Sequence, residues 1–156
     1  MCCKNLCDDL AAPANCFDNS IVCAENGRKF SIQLPKNSSE TFCRVNVDGC
    51  VIPEDSTLER CDFMFRRCQN REIYFVELKG KDVEKGYSQI KSTIEFIRPK
   101  LKFQPEKVSA FIIVSRSPLS STRLQALRNE FVKKKYGHVL EVKAREYVHK
   151  IESKNP

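Results

Sequence analysis

Residues 73–80 read Ile-Tyr-Phe-Val-Glu-Leu-Lys-Gly, and a helical pattern starts directly after them at Asp82. The run is β-prone and mostly apolar, which predicts a strand. Successive side chains of a strand leave opposite faces, so Glu77 and Lys79 share one face and Leu78 takes the other. A carboxylate and an ammonium are costly to bury in such a strand unless they meet a metal, another ion or water. That cost singles the pair out as candidate chemistry.

Upstream, Cys61–Cys68 is a second β-prone run, joined to Glu72–Leu78 by Gln69-Asn70-Arg71, a connection of hairpin length. A short hairpin brings the Asp62 carboxylate beside Glu77, and two neighbouring carboxylates favour a divalent cation between them. Further back, Phe30, Ile32 and Leu34 alternate with polar residues. After the break at Pro35-Lys36-Asn37-Ser38, Phe42–Ile52 is β-like again, with Asp48-Gly49 as a hairpin turn or bulge.

Downstream, Val83, Tyr87, Ile90, Ile94 and Ile97 follow a helical period, with Asp82 as the cap and Pro99 as the expected end. Val108–Val114 is an almost unbroken apolar run, hence a strand buried on both faces of a sheet covered by helices on both sides. Leu124, Leu127 and Phe131 mark a second helix, with caps offered by Ser120, Ser121 and Thr122 and a close at Gly137; His138–Val142 gives a last strand. The expected fold class is α/β: one domain with a central mixed β-sheet flanked by helices. Its expected bounds are 25–148, between a Cys-rich tail or capping segment over 1–24 and a C-terminal tail over 149–156.

Asp62, fourteen intervening residues, then Glu77-Leu78-Lys79 and an amphipathic helix make an order that resembles the PD-(D/E)xK, or restriction-endonuclease-like, nuclease superfamily over about Phe42 to Val142. The resemblance implies that core fold and a metal-dependent nuclease. Asp62 and Glu77 would hold Mg²⁺ or Mn²⁺, the Leu78 carbonyl would join them, and Lys79 would orient or deprotonate the attacking water. Gln89 resembles the helix glutamine that some members place beside the active site, although Thr93 stands where those members carry a tyrosine. Cys61 occupies the place of the proline in the family's name. A further acidic ligand expected from the resemblance would come from Glu25, Glu40 or Asp48, with Asp48 better read as a turn residue and Glu40 as the preferred ligand.

Charge supports a polyanionic partner. Residues 1–80 carry 10 basic and 12 acidic side chains and residues 81–156 carry 17 and 8, within a total of 27 and 20. Lys81, Lys85, Lys91, Arg116 and Lys133, Lys134 and Lys135 are the candidates for phosphate contacts with DNA, RNA being open as well. The two histidines, His138 and His149, read as a strand-end residue and a tail residue.

All nine cysteines precede residue 69. The odd count, with no secretory-signal pattern, predicts reduced thiols in a cytoplasmic setting. Cys3, Cys7, Cys16 and Cys23 could supply four thiolates to zinc or an iron–sulfur cluster, but no C-x-x-C pair occurs among them. No apolar run reaches the ~18 residues of a membrane span. Two alternatives to a DNA nuclease stay open: a non-catalytic nucleic-acid-binding or assembly module of the same fold, and a Cys-rich metal or redox protein. A homodimer or a protein partner is compatible with so short a chain.

Overall fold

The computed structural model describes residues 3–78, 81–116 and 119–152. Within them, two sheets and three α-helices form a single α/β domain around a mixed sheet. In chain order the elements are α1 (Leu6–Leu10), β1 (Phe17–Asp18), β2 (Val22–Glu25), β3 (Arg28–Gln33), β4 (Phe42–Asn46), β5 (Phe63–Arg67), β6 (Ile73–Leu78), α2 (Val83–Leu101), β7 (Val108–Val114), α3 (Ser121–Lys133), β8 (Val139–Ala144) and β9 (Glu146–Lys150).

The main sheet has six strands in the order β1-β4-β5-β6-β7-β8. β4, β5 and β6 are antiparallel neighbours, whereas β6, β7 and β8 run parallel. The change of direction follows from the connections. Gln69-Asn70-Arg71 is a hairpin loop, but α2 and α3 are crossovers, and a crossover returns the chain parallel to the strand it left.

Every residue of β6 and β7 is buried, as the apolar run over Val108–Val114 requires. What covers them differs from the expectation. Leu6 and Leu10 of α1, Ile90 and Ile94 of α2 and Leu127 and Phe131 of α3 all pack on the face that carries Ile73 and Phe75. The opposite face, with Tyr74, Val76 and Phe111, is covered by the small sheet β2-β3-β9 through Phe30 and Ile32. A strand buried on both sides demands two covers and is silent on whether each is helix or sheet.

Local determinants agree with the pattern at most boundaries. The Asp82 carboxylate accepts from the Lys85 N–H and the Ser120 hydroxyl from the Arg123 N–H, so both long helices are capped from their own sequence. Pro99 does not end α2, which runs on to Leu101. Proline removes the bond to the Glu95 carbonyl, and both residues are exposed, where water supplies the missing partner. At Gly137 a Cβ would stand 2.7 Å from the Phe131 ring and 2.7 Å from the Val108 carbonyl oxygen, so the residue permits a close approach between α3 and β7.

Two expectations about the C-terminus and the thiols are revised. At the other end, where a tail or a capping segment was expected, the described residues from Cys3 on include the short helix α1, whose Leu6 and Leu10 are core residues, and β1 pairs with β4. His149, expected in a tail, lies in β9, which pairs in parallel with β3. The thiols are not all reduced: Cys3 is bonded to Cys68 and Cys16 to Cys50, and Cys43 is disulfide-bonded as well. Sequence separations of 65 and 34 residues carry no sign of such pairing; the fold creates the proximity. With Cys3 and Cys16 so engaged, the four-thiolate set is not assembled. Among the described residues no helix is long and apolar enough to cross a membrane.

Candidate active site

Glu77 and Asp62 meet at the carboxyl end of β6. Extending the register Phe63↔Val76 by one pair puts Asp62 directly across from Glu77. Glu77 is 3% exposed. Its Oε2 accepts from the Asp62 N–H at 3.1 Å, and the Asp62 Oδ2 accepts from the Leu78 N–H at 2.8 Å. The strand ends are thereby locked by the two carboxylates whose chemistry is in question. Carboxylates withdrawn from water need hydrogen-bond donors, and two of the donors here are backbone N–H groups.

Helix α2 closes over this pair because Gly86 has no side chain. A Cβ there would lie 3.4 Å from Glu77 Cγ and 3.2 Å from Ile112 Cγ2, Ile112 being the β7 partner of Glu77. Two turns on, the Thr93 hydroxyl accepts from the Cys61 N–H at 2.8 Å and donates to the Gln89 carbonyl at 2.8 Å. The helix thus holds the residue before Asp62. Gln89 lies between Gly86 and Thr93 at helical spacing, and its Oε1 is buried with no hydrogen-bond partner among the described residues.

Two thiols report on the electrostatics. Burial, reinforced by the charge of Glu77 and then of Asp62, pushes the Cys61 thiol far up. Burial pushes the Cys23 thiol up to about 12; Arg44 opposes this and Asp62 adds to it. Neither is an activated nucleophile. Cys61 marks a locally negative neighbourhood beside the two carboxylates, whereas at Cys23 the charge of Arg44 outweighs that of Asp62.

Of the other expected residues, Lys79 lies outside the described residues. Leu78 turns its side chain to the opposite face, where it is buried. Asp48 comes near through its backbone, since the Val47 and Asp48 N–H groups reach the Asp62 carbonyl at 3.1 and 3.5 Å, while its carboxylate takes the Arg60 guanidinium at 2.6 Å. Glu40 sits at the far end of the β4/β5 ladder, where it forks onto Arg67. Glu25 is exposed at the end of β2. Among the described residues no group of three or more His, Cys, Asp or Glu side chains is placed to share a metal ion. The acidic donor pair is Asp62 and Glu77, hard oxygen ligands of the kind Mg²⁺ and Mn²⁺ take.

The basic candidates separate into two ends. Lys81 is exposed just after β6, and Lys85 is paired with Glu59 at 3.3 Å on the first turns of α2. Arg116 follows β7 at the same end of the sheet. Lys91 is committed to the packing of α2 against α3, over the Tyr87 ring at 4.5 Å and near Glu130 at 3.9 Å. Lys133, Lys134 and Lys135 sit where α3 returns to the start of β8, the opposite end from Glu77, and Lys134 pairs with Glu130. Thr93 had no role in the sequence reading; a threonine on an otherwise apolar helix stripe was its one visible signal.

Comparison with protein-family models, with curated proteins and with solved structures finds no match to this chain. What stands is the class set by the fold, a single α/β domain on a mixed sheet, with two carboxylates gathered at the carboxyl end of its central strands.

Proposed function

We propose that the chain is a metal-dependent nuclease that hydrolyses the phosphodiester bonds of DNA. The observation that supports this most is the reciprocal pairing of Asp62 and Glu77 at the end of an otherwise apolar strand. Two carboxylates brought side by side in this way favour a divalent cation between them. Asp62, Glu77 and the Leu78 carbonyl would hold Mg²⁺ or Mn²⁺, with water completing the shell, as hard oxygen donors do. A bound ion of this kind lowers the pKa of a coordinated water and shields charge accumulating on the phosphate.

The chain's own residues divide the remaining work. Glu77 and Asp62 are fixed by backbone N–H groups, so no side-chain reorganisation is needed when the phosphate arrives. Lys79, two residues beyond Glu77, is assigned to the attacking water or the scissile phosphate on the sequence pattern. Gln89 offers an amide whose oxygen lacks a partner among the described residues, suited to accept from water or from a base edge. Gly86 and Thr93 position the pair without touching substrate.

The test is cleavage of supercoiled plasmid and end-labelled linear DNA, with RNA in parallel, in Mg²⁺, Mn²⁺ or EDTA. Nicking or shortening that requires metal and drops by at least about 10²-fold in Glu77→Gln and Lys79→Ala is the expected result. Equal inertness of wild type and variants on DNA and RNA would remove the catalytic reading.

A further inference from the structure

We infer that Arg116 and Arg145, with Arg28 bonded to the cleft wall behind them, form a cleft for backbone phosphates of a nucleic-acid strand, placed to guide that strand to the Asp62–Glu77 pair. The inference rests on the nuclease reading and extends it to the residues that seat the substrate. Asn26, Gly27, Ser115, Arg116 and Arg145 line an open cleft of about 400 Å³. Arg28 adds its guanidinium from the next position of β3, donating from Nη1 to the Ser115 hydroxyl at 3.2 Å, while its Nε is buried with no partner among the described residues.

Arg145 is the residue by which the chain leaves one sheet for the other. Its N–H donates to the Val114 carbonyl at 2.6 Å and its carbonyl accepts from the Lys29 N–H at 2.8 Å, so β7, β8 and β3 converge on it. It holds a left-handed conformation, φ 67°, as do seven other non-glycine residues among those described.

Charge argues for an anion. None of the three arginines pairs with a carboxylate among the described residues, although Glu25 stands across from Arg28 in the β2–β3 hairpin and Glu146 follows Arg145. Guanidinium groups match phosphate oxygens by two parallel hydrogen bonds. On the far wall, a Cβ at Gly27 would meet nothing within 4 Å, so the backbone there is open to approach.

Position argues for a polymer over a small anion. Leu78 pairs with Ile113 and Val114 with Ala144, so the ends of β6, β7 and β8 follow one another along one rim of the sheet. At ~4.8 Å between neighbouring strands and ~3.3 Å per residue, Arg145, two residues beyond the Lys143 that is level with Leu78, is about 12 Å from the end of β6, within reach of one strand lying across both sites.

The experiment measures binding of fluorescein-labelled single- and double-stranded 20-mers of DNA and RNA by anisotropy, in EDTA, over a salt series. It compares the full chain with Arg116→Ala/Arg145→Asn, asparagine being chosen because it tolerates the left-handed backbone. The control is Lys100→Ala/Lys107→Ala, the same charge change near the opposite end of the sheet. Thermal melting checks that all three fold, and Arg116→Ala alone serves if the double variant melts early.

Expected are affinity lower by about tenfold or more in the arginine variant, a salt slope shallower by about 1.5, and less than about twofold change in the control. Equal loss in both variants, or none in the arginine variant, overturns the cleft, and the nuclease reading then stands or falls on cleavage alone. Displacement of the oligonucleotide by millimolar inorganic phosphate would overturn the polymer reading in favour of a free-phosphate site. No binding of any oligonucleotide by wild type overturns the cleft and leaves the nuclease reading to cleavage in the presence of metal. Arginine-dependent binding without metal-dependent cleavage keeps the cleft and removes the catalysis.

Discussion

Asp62 and Glu77 hold each other in place. The Glu77 carboxylate takes the Asp62 N–H at 3.1 Å, and the Asp62 carboxylate takes the N–H of Leu78, the residue after Glu77, at 2.8 Å. Each side chain therefore fixes the other's backbone, and the candidate site doubles as a fold-stabilising contact.

Removing one partner separates the two roles. Asp62→Asn keeps an oxygen that can accept from Leu78, whereas Asp62→Ala leaves a buried N–H unpaired at a cost of about 1–3 kcal/mol. Urea unfolding should therefore show Ala well below Asn, with Asn within about 1 kcal/mol of wild type. Both should lose metal-dependent cleavage, since an amide is a poor substitute for a carboxylate ligand. An Asn variant as unstable as Ala would mean that the negative charge, and not the acceptor, stabilises the strand end.

Thr93 gives a sharper test of how α2 holds the loop. The side chain is fully buried and its hydroxyl accepts from the Cys61 N–H. Thr93→Val keeps the shape and removes the acceptor, so it should cost about 1–3 kcal/mol, and Thr93→Ser should restore most of it. If Val is neutral by urea denaturation, the hydrogen bond contributes nothing to the seating of Asp62.

The cysteines should divide by chemistry. Peptide mapping without reductant should recover Cys3 linked to Cys68 and Cys16 linked to Cys50. Iodoacetamide should modify Cys7, which is partly exposed, in the native protein, and reach Cys23 and Cys61 only in denaturant, because both are buried. Loop-closing bridges contribute about 2–4 kcal/mol each, so Cys16→Ser/Cys50→Ser should lower the urea midpoint measurably. Native alkylation of Cys61 would place it at the surface and contradict the packing under α2.

His149 should give the protein a pH-sensitive step. Burial beside Tyr74 and Phe111 holds its imidazole below the ordinary value of about 6.5, with the charge of Glu72 partly opposing. The unfolded chain then binds the proton more tightly than the folded one. Stability is full above about pH 6.5 and falls as pH drops through that value. Between pH 7.5 and 5.5 the urea midpoint of wild type should fall, and that of His149→Phe should fall less. Parallel curves for the two proteins would show that another group carries the step.

Much of the main sheet is legible in the sequence because its signals are strong and local. The apolar run over Val108–Val114, the period from Val83 to Ile97 and the short loop Gln69-Asn70-Arg71 each specify one element, and the structure agrees on type and order. Asp62 and Glu77 come together for the same reason, since a short loop fixes register. What escaped depends on distant partners. Glu146–Lys150 alternates between exposed and half-buried and carries no apolar stripe, so its strand character comes from pairing with β3. Val51 and Ile52 look like a returning hairpin strand, yet they close a tight turn at Gly49, and β4 takes β5 as its partner. Gly27 and Arg145, 118 positions apart, line one cleft solely because the second sheet exists.

The pairing of β3 with β9 also bears on how the chain is made. Lys29 is registered against Glu146 and Gln33 against Lys150, so the small sheet cannot close until a segment 117 residues further along the chain has been made. Until then Phe30 and Ile32 have one hairpin partner and a half-covered face, at a stage when such long-range closure is slow. Deleting Glu146–Lys150 should therefore leave Phe30 and Ile32 half-covered, and such chains should aggregate more than the intact one.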